Sequence, residues 1–192
     1  LITHGREERN LEYKGDVNWK TKSVQAKLIK TIMAFSNIPD GGAIVLGVEQ
    51  EGEIFTASGL STNNYNSFKQ DDVSDVVNGY ADPYVELTVR QVLYDNSNFI
   101  VIQVKEFSEI PVICKKNGIE MLIRGGIYIR PRRKHETVII PSQVEMRELI
   151  DSSIDKGIIS LQKRLINLDT QSSASQKSDI EKFDAQIGDM NK

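Results

Sequence analysis

Apolar side chains recur at helical spacing near the start of the chain. Val24, Leu28, Ile32 and Phe35 follow one another at intervals of four, four and three, which predicts a helix over residues 23–36 with one apolar face. Residues 37–42 contain a proline and two glycines, which predict that the helix ends there and the chain turns.

The spacing changes to that of strands in the middle of the chain. Residues 43–48 are apolar without alternation, which is typical of a strand buried on both faces. Residues 85–94 and 99–106 predict a hairpin joined at 95–98. A short helix is expected at 71–79, and shorter strands at 111–114, 119–124 and 127–130. Together with a second long helix over 142–156, this pattern predicts an α+β fold with a mixed sheet of five or more strands and packed helices.

The last 50 residues predict a helical tail. Ser142 and Glu145 form a capping box, so the second long helix begins there, and Gly157 is expected to end it. An apolar-periodic stretch over 158–168, a Ser/Gln-rich linker over 170–178 and a last amphipathic helix follow. We therefore expect one domain over residues 1–157 and a helical extension over 158–192 that associates with a second copy or a partner protein.

Composition narrows the class of protein. Apolar residues make up 39% of the 192 positions and charged residues 27%, as in a soluble globular protein. The formal net charge of −3 argues against a histone-like binder whose whole surface is basic, but it allows a local basic patch. Cys114 is the single cysteine, so no internal disulfide can form and a reducing cytoplasm is expected. We interpret Cys114, which follows an apolar run, as a buried hydrophobic residue.

A basic stretch stands out in this acidic chain, between residues 115 and 134. Its only acid is Glu120, and its cations are Lys115, Lys116, Arg124, Arg130, Arg132, Arg133 and Lys134. Such a cluster is typical of contacts to nucleic-acid phosphates. The alternative is a solvated loop, which is common for short runs of charge.

Acidic residues at two places along the chain are a second candidate site. Glu7 and Glu12 precede the first helix, and Glu49 follows the buried strand. Carboxylates that meet over one strand can hold a divalent metal for phosphodiester cleavage. The alternative is structural, with Glu12 and Lys14 forming an ion pair and the remaining acids solvated.

Three short motifs follow one another along the chain: Glu12-Tyr13-Lys14 after Glu7, Ala34-Phe35-Ser36-Asn37 with Gly41-Gly42, and Gly47-Val48-Glu49 with Gly52. In this order they resemble the Schlafen core family, also described as the Alba-like DNA-binding domain. The resemblance spans about residues 7–156 and implies nucleic-acid binding. In nuclease members it implies metal ligation, with Mg²⁺ or Mn²⁺, by the Glu7 and Glu12 positions and by an aspartate. Gln50 stands at that aspartate position here, which leaves Glu49 as the candidate third ligand.

Three hypotheses follow from the sequence. The first is a nucleic-acid-binding domain that contacts DNA or RNA phosphates through the basic stretch. The second is a metal-dependent endonuclease, acting on RNA, with Glu7, Glu12 and Glu49 as its catalytic and metal-binding residues. The third is an assembly module that uses the C-terminal helices.

Overall fold

The computed structural model describes residues 1–119, 122–132 and 136–190, with side chains as far as residue 168. In chain order these residues form β1 (Leu11–Lys14), α1 (Lys22–Ser36), β2 (Gly42–Leu46), β3 (Val48–Glu51), β4 (Ile54–Ala57), α2 (Thr62–Tyr65), α3 (Gln70–Asn78), β5 (Ala81–Asp82), β6 (Leu87–Tyr94), β7 (Ser97–Val104), β8 (Ile113–Cys114), β9 (Tyr128–Ile129), β10 (Val138–Ile139) and α4 (Gln143–Met190). The fold is therefore α+β, as the sequence predicts.

A mixed four-stranded sheet forms the centre of the molecule, in the order β1-β2-β7-β6. β1 and β2 are parallel, with Glu12 opposite Ile44, whereas β2–β7 and β7–β6 are antiparallel. The expectation of five or more strands in one sheet is wrong for the described residues. The remaining short strands pair two by two instead, as β3–β4, β5–β8 and β9–β10.

Both faces of this sheet are covered by apolar side chains. Ile44 and Leu46 of β2 face α1, while Val45 between them faces the opposite side, because side chains alternate along a strand. All three are fully buried, as the unalternating apolar run predicts. α1 lies on the first face and contributes its apolar stripe to the larger core, so the predicted helix over 23–36 is confirmed.

The corner between α1 and β2 is fixed by one buried amide and two glycines. The Asn37 side chain donates to the carbonyls of Val112 and Tyr128 at 2.8 and 3.0 Å and accepts from the Val112 N–H at 2.7 Å. Gly41 has a φ of +70°, and a Cβ there would lie 2.1 Å from the Val104 carbonyl oxygen. The Asn37…Gly41-Gly42 pattern is thus required by the turn itself.

Two local predictions differ from the structure. The β6–β7 hairpin turns through Asp95 and Asn96 alone, with φ values of 47° and 58°, rather than through residues 95–98. The expected strand over 119–124 is not observed among its described residues. Gly126 instead donates to the Ile123 carbonyl at 2.9 Å, which is the hydrogen bond of a tight turn.

The C-terminal helix α4 continues past both predicted interruptions. It runs for 48 residues, which corresponds to about 72 Å. The expectation that the helix ends at Gly157 is wrong, since one interior glycine costs only about 1 kcal/mol relative to alanine. Residues 170–178, expected to form a flexible linker, also lie within this helix. In the described part of the chain, no helix combines the length and apolarity needed to cross a membrane.

Candidate nucleic-acid interface

A surface cleft of about 260 Å³ lies beside β1 and α1, and we call it the β1–α1 cleft. It contains two residues of the predicted acidic site together with three lysines. Its lining residues are Glu7, Glu12, Lys14, Lys27, Lys30, Thr31, Glu136 and Thr137. The cleft thus joins residues that are far apart in the sequence.

Regular secondary structure sets the positions of these side chains. Glu12 and Lys14 are two residues apart on β1 and so emerge on the same face of the sheet. Lys27, Lys30 and Thr31 are three or four residues apart on α1 and share one side of the helix. Since α1 packs on the same sheet face, the two sets of side chains meet.

Glu12 is held by two cations and one hydroxyl. Its Oε2 pairs with the Arg130 guanidinium, and its Oε1 lies 2.7 Å from the Lys14 Nζ. The Thr31 hydroxyl donates to Oε2 at 3.3 Å. Arg130 is fully buried, with its guanidinium carbon 5.2 Å from the centre of the Phe35 ring. The predicted Glu12–Lys14 ion pair is therefore confirmed, and Lys14 and Arg130 together compensate the negative charge of Glu12.

The other two predicted carboxylates make separate local contacts. Glu7 Oε1 accepts the Tyr13 backbone N–H at 3.2 Å and lines the cleft. Glu49 Oε1 accepts the Asp16 N–H at 3.0 Å and lies so close to Gly15 that a Cβ there would be 2.2 Å from it. Glu49 does not line the cleft, and within the described ranges no three His, Cys, Asp or Glu side chains form a group that could hold a metal.

The donor set does not fit Mg²⁺ or Mn²⁺. Such hard cations need several oxygen ligands free to coordinate. Both oxygens of Glu12 already contact cations, and Glu49 is bonded elsewhere. Gln50, at the position where nuclease members carry an aspartate, donates its side-chain amide to the Gly52 carbonyl at 3.0 Å.

The basic stretch does not lie on the surface as one patch. Arg130, predicted to contact phosphates, does not fit a surface site, because its guanidinium is buried against Glu12 and does not face solvent. Arg132 is 71% exposed, and its Nη2 lies 3.5 Å from a Glu148 carboxylate oxygen at the start of α4. Arg133 and Lys134 lie outside the described residues.

Three cations of the stretch stay exposed around β8. Lys115 follows β8 directly, and its N–H donates to the Tyr80 carbonyl at 2.7 Å. The Lys116 Nζ lies 4.4 Å from the centre of the Tyr80 ring, a cation–π contact. Arg124 lies on the neighbouring turn, where its N–H donates to the Asn117 side chain at 2.8 Å. These residues form a second exposed basic surface, which we call the β8 surface.

Burial shifts the pKa of two groups near these surfaces. The pKa of Arg9 is lowered, first by burial and then by the nearby positive charge of Arg132. Arg9 also donates to the Arg130 carbonyl at 2.7 Å, which fixes the segment that carries the buried pair. Burial raises the pKa of the Cys114 thiol, in agreement with its interpretation as a buried hydrophobic residue.

The sequence analysis missed the lysines of α1. Lys20, Lys22, Lys27 and Lys30 lie in a segment that holds no acidic residue between Asp16 and Asp40. The apolar stripe of this segment predicts the helix but does not reveal its charged face. The signal was the one-sided charge on the polar face of an amphipathic helix.

The chain is similar to known proteins over most of its length. The sequence profile of the Schlafen, AlbA_2 family matches residues 7–138. The crystal structure of the DIP2311 protein from Corynebacterium diphtheriae is 13% identical, with a TM-score of 0.44 over 69% of this chain and 22% of that chain. The chain thus spans less than a quarter of that protein structure.

A second solved structure is also similar at low identity. It is the solution NMR structure of the N-terminal domain of an ATP-dependent DNA helicase RecG-related protein from Nitrosomonas europaea. It is 20% identical, with a TM-score of 0.45 over 59% of this chain and 74% of that chain. No curated protein matches the chain.

Proposed function

This chain belongs to the Schlafen, AlbA_2 family, and we propose that it binds nucleic acid through its phosphates, without a metal centre. The observation that carries the proposal is the lysine-rich segment of α1 beside Glu12, whose charge is compensated by Lys14 and Arg130. Lysines on one helix face are suited to contact successive phosphates of a backbone, which supply most of the affinity in such complexes.

The charges around the β1–α1 cleft support this proposal. Lys14 and Arg130 together compensate Glu12, so the carboxylate does not repel a phosphate as an isolated anion would. Lys20, Lys22 and Lys27 are exposed along the same helix and the segment that leads into it. The first turn of α1 contains no acidic residue, so the partial positive charge of its N-terminus adds to the same field.

The β8 surface offers a second set of phosphate contacts. Lys115, Lys116 and Arg124 are exposed there, next to the partly exposed ring of Tyr80. Cations beside an aromatic ring are typical of surfaces that bind single strands. We propose that this surface extends the contact made by α1.

The proposal is tested by fluorescence anisotropy with labelled single-stranded RNA, single-stranded DNA and duplex DNA across a salt series. The unmodified chain should bind, and log K should fall with log salt by about 0.7 to 0.9 per phosphate contact. Lys27→Ala/Lys30→Ala should weaken binding and flatten that slope by roughly two contacts. Lys115→Ala/Lys116→Ala should do the same to a smaller extent if the β8 surface extends the site.

The matched control is Lys105→Ala/Lys163→Ala, which removes the same charge elsewhere. Lys105 pairs with Glu86 at 2.6 Å at the end of β7, and Lys163 lies on α4. This control should leave affinity and slope nearly unchanged. Equal loss in the control and in the α1 variant would mean that net charge alone, rather than this site, governs binding.

Cleavage is the second candidate, because Glu7 and Glu12 line the same cleft. Incubating a mixed RNA pool with the chain and Mn²⁺ tests it directly. We expect no metal-dependent cleavage, since Arg130 and Lys14 hold the Glu12 carboxylate. Cleavage that disappears in Glu12→Gln would replace the binding-only proposal with the nuclease.

A further inference from the structure

One side of α4 carries a regular apolar stripe that its own domain does not cover. Five residues follow one another at intervals of four, three, four and three, which is the heptad spacing of a coiled coil. They are Ile154, Ile158, Leu161, Leu165 and Leu168, each between 50% and 61% exposed. We call this set the α4 seam, with Ile158 and Leu165 at a positions and the other three at d positions.

A different side of α4 packs on the domain. Leu149 is buried in the core, Ser153 donates to the Glu109 carbonyl at 2.7 Å and Lys156 donates to the Phe107 carbonyl at 2.6 Å. The docking residues Leu149, Ser153, Lys156 and Ser160 occupy c and f positions of the same heptad register. At about 100° per residue, this side lies about 160° around the helix from the a and d positions, so the seam points away from the domain.

The end of the same helix does not cover the seam either. α4 is continuous to Met190, so the apolar positions after residue 178 lie farther along the same rod. At about 1.5 Å per residue, Ile180 begins about 18 Å beyond Leu168. In this arrangement they cannot fold back onto the seam, and a second molecule is needed to bury it.

We propose that the α4 seam binds the seam of a second copy of this chain, as a parallel two-stranded coiled coil. Charge complementarity favours this occupant and orientation. Arg164 is at a g position, and the sequence places Asp169 five residues later, at the e position that faces it from a parallel partner. In an antiparallel pair centred on the seam, Asp155 and Asp169, both at e positions, would face each other as like charges.

The test is sedimentation analysis of the full chain across a concentration series. Two heptads make a short interface, so we expect a monomer–dimer equilibrium in the micromolar range. Leu161→Asp should abolish the dimer, because it places a charge in the seam. Ile159→Asp is the matched control, since Ile159 is 49% exposed on the same helix but occupies a b position outside the seam. It should leave the dimer intact.

The charge pair tests the orientation separately. Arg164 lies 3.7 Å from Glu109 of its own domain, so circular dichroism and the melting temperature of each variant should first be shown unchanged. Arg164→Glu should weaken the dimer several-fold, and Arg164→Glu/Asp169→Arg should restore it. Failure of restoration would overturn the parallel register. A chain that is monomeric at all concentrations, or equal loss in Leu161→Asp and Ile159→Asp, would overturn the seam itself.

Discussion

At the scale of single residues, the contacts of Glu12 decide which chemistry the cleft supports. A carboxylate near a second glutamate suggests a metal site in sequence, but here it contacts Arg130 and Lys14. Arg130 comes from a position 118 residues away, in a stretch that looks solvent-exposed by composition. The sequence contained the local Glu12–Lys14 pair, two residues apart on one strand. It gave no signal for the long-range partner, because tertiary packing alone brings the two segments together.

Removing one partner of the Glu12–Arg130 pair should be strongly destabilising. Arg130→Met would leave the buried end of Glu12 without its guanidinium partner, at a cost of about 3 to 5 kcal/mol. Urea unfolding measures this change. Arg132→Met is the matched control, because Arg132 is 71% exposed and its pair with Glu148 should contribute no more than about 1 kcal/mol.

A double variant that removes both charges separates the effect of the ion pair on stability from the effect of side-chain packing. Glu12→Leu/Arg130→Met should recover much of the loss, since no charge then remains buried without a partner. If the double variant is as unstable as Arg130→Met alone, the loss comes from the volume of the arginine side chain, and the ion pair is not its cause.

Cys114 should be chemically inert in the folded chain. Burial raises the pKa of its thiol, and the thiolate is the form that reacts with alkylating reagents. At pH 8, iodoacetamide should therefore modify the native protein far more slowly than the urea-unfolded protein, as followed by mass spectrometry. Equal rates in the two states would show that the β8 segment opens readily.

At the scale of elements, the spacing of apolar residues predicts those helices and strands whose conformation depends on local burial. α1 and β2 follow directly from the spacing of their apolar residues, since each has one dominant environment along its length. β8 and β9 lie within the predicted strands 111–114 and 127–130 but are only two residues long, and a turn at 122–126 replaces part of another predicted strand. A few long-range hydrogen bonds decide the conformation of these segments. Asn37, which bonds to Val112 and Tyr128, is one such determinant.

The β6–β7 hairpin depends on two residues with positive φ. Asn96 has a φ of 58°, a conformation that asparagine tolerates and β-branched residues do not. Asn96→Val should therefore cost about 1 to 2 kcal/mol in urea unfolding. Asn96→Gly keeps access to the same conformation and should change stability by less than 1 kcal/mol in either direction. A valine variant as stable as the glycine variant would mean that the turn has a different conformation in solution.

At the scale of the whole molecule, only part of α4 packs on the domain. The described docking contacts of α4 fall between Glu148 and Arg164, where the helix meets Arg132 and residues 106–109. The sequence predicted a helical extension that mediates association, but it placed breaks at Gly157 and at 170–178. The Ser/Gln-rich composition of residues 170–178 predicts a linker, but serine and glutamine are also tolerated in a helix that is already nucleated.

This separation predicts unequal effects of truncation. A chain ending at Leu168 retains every described docking contact, so its melting temperature at low concentration should stay close to that of the full chain. A chain ending at Ser142 loses the burial of Leu149, about 1.5 to 3 kcal/mol, together with the bonds of Ser153 and Lys156. For a domain of this size that loss should lower the melting temperature by roughly 5 °C or more, measured by circular dichroism. A large fall already in the chain ending at Leu168 would mean that residues beyond 168 support the domain directly, rather than only extending α4 away from it.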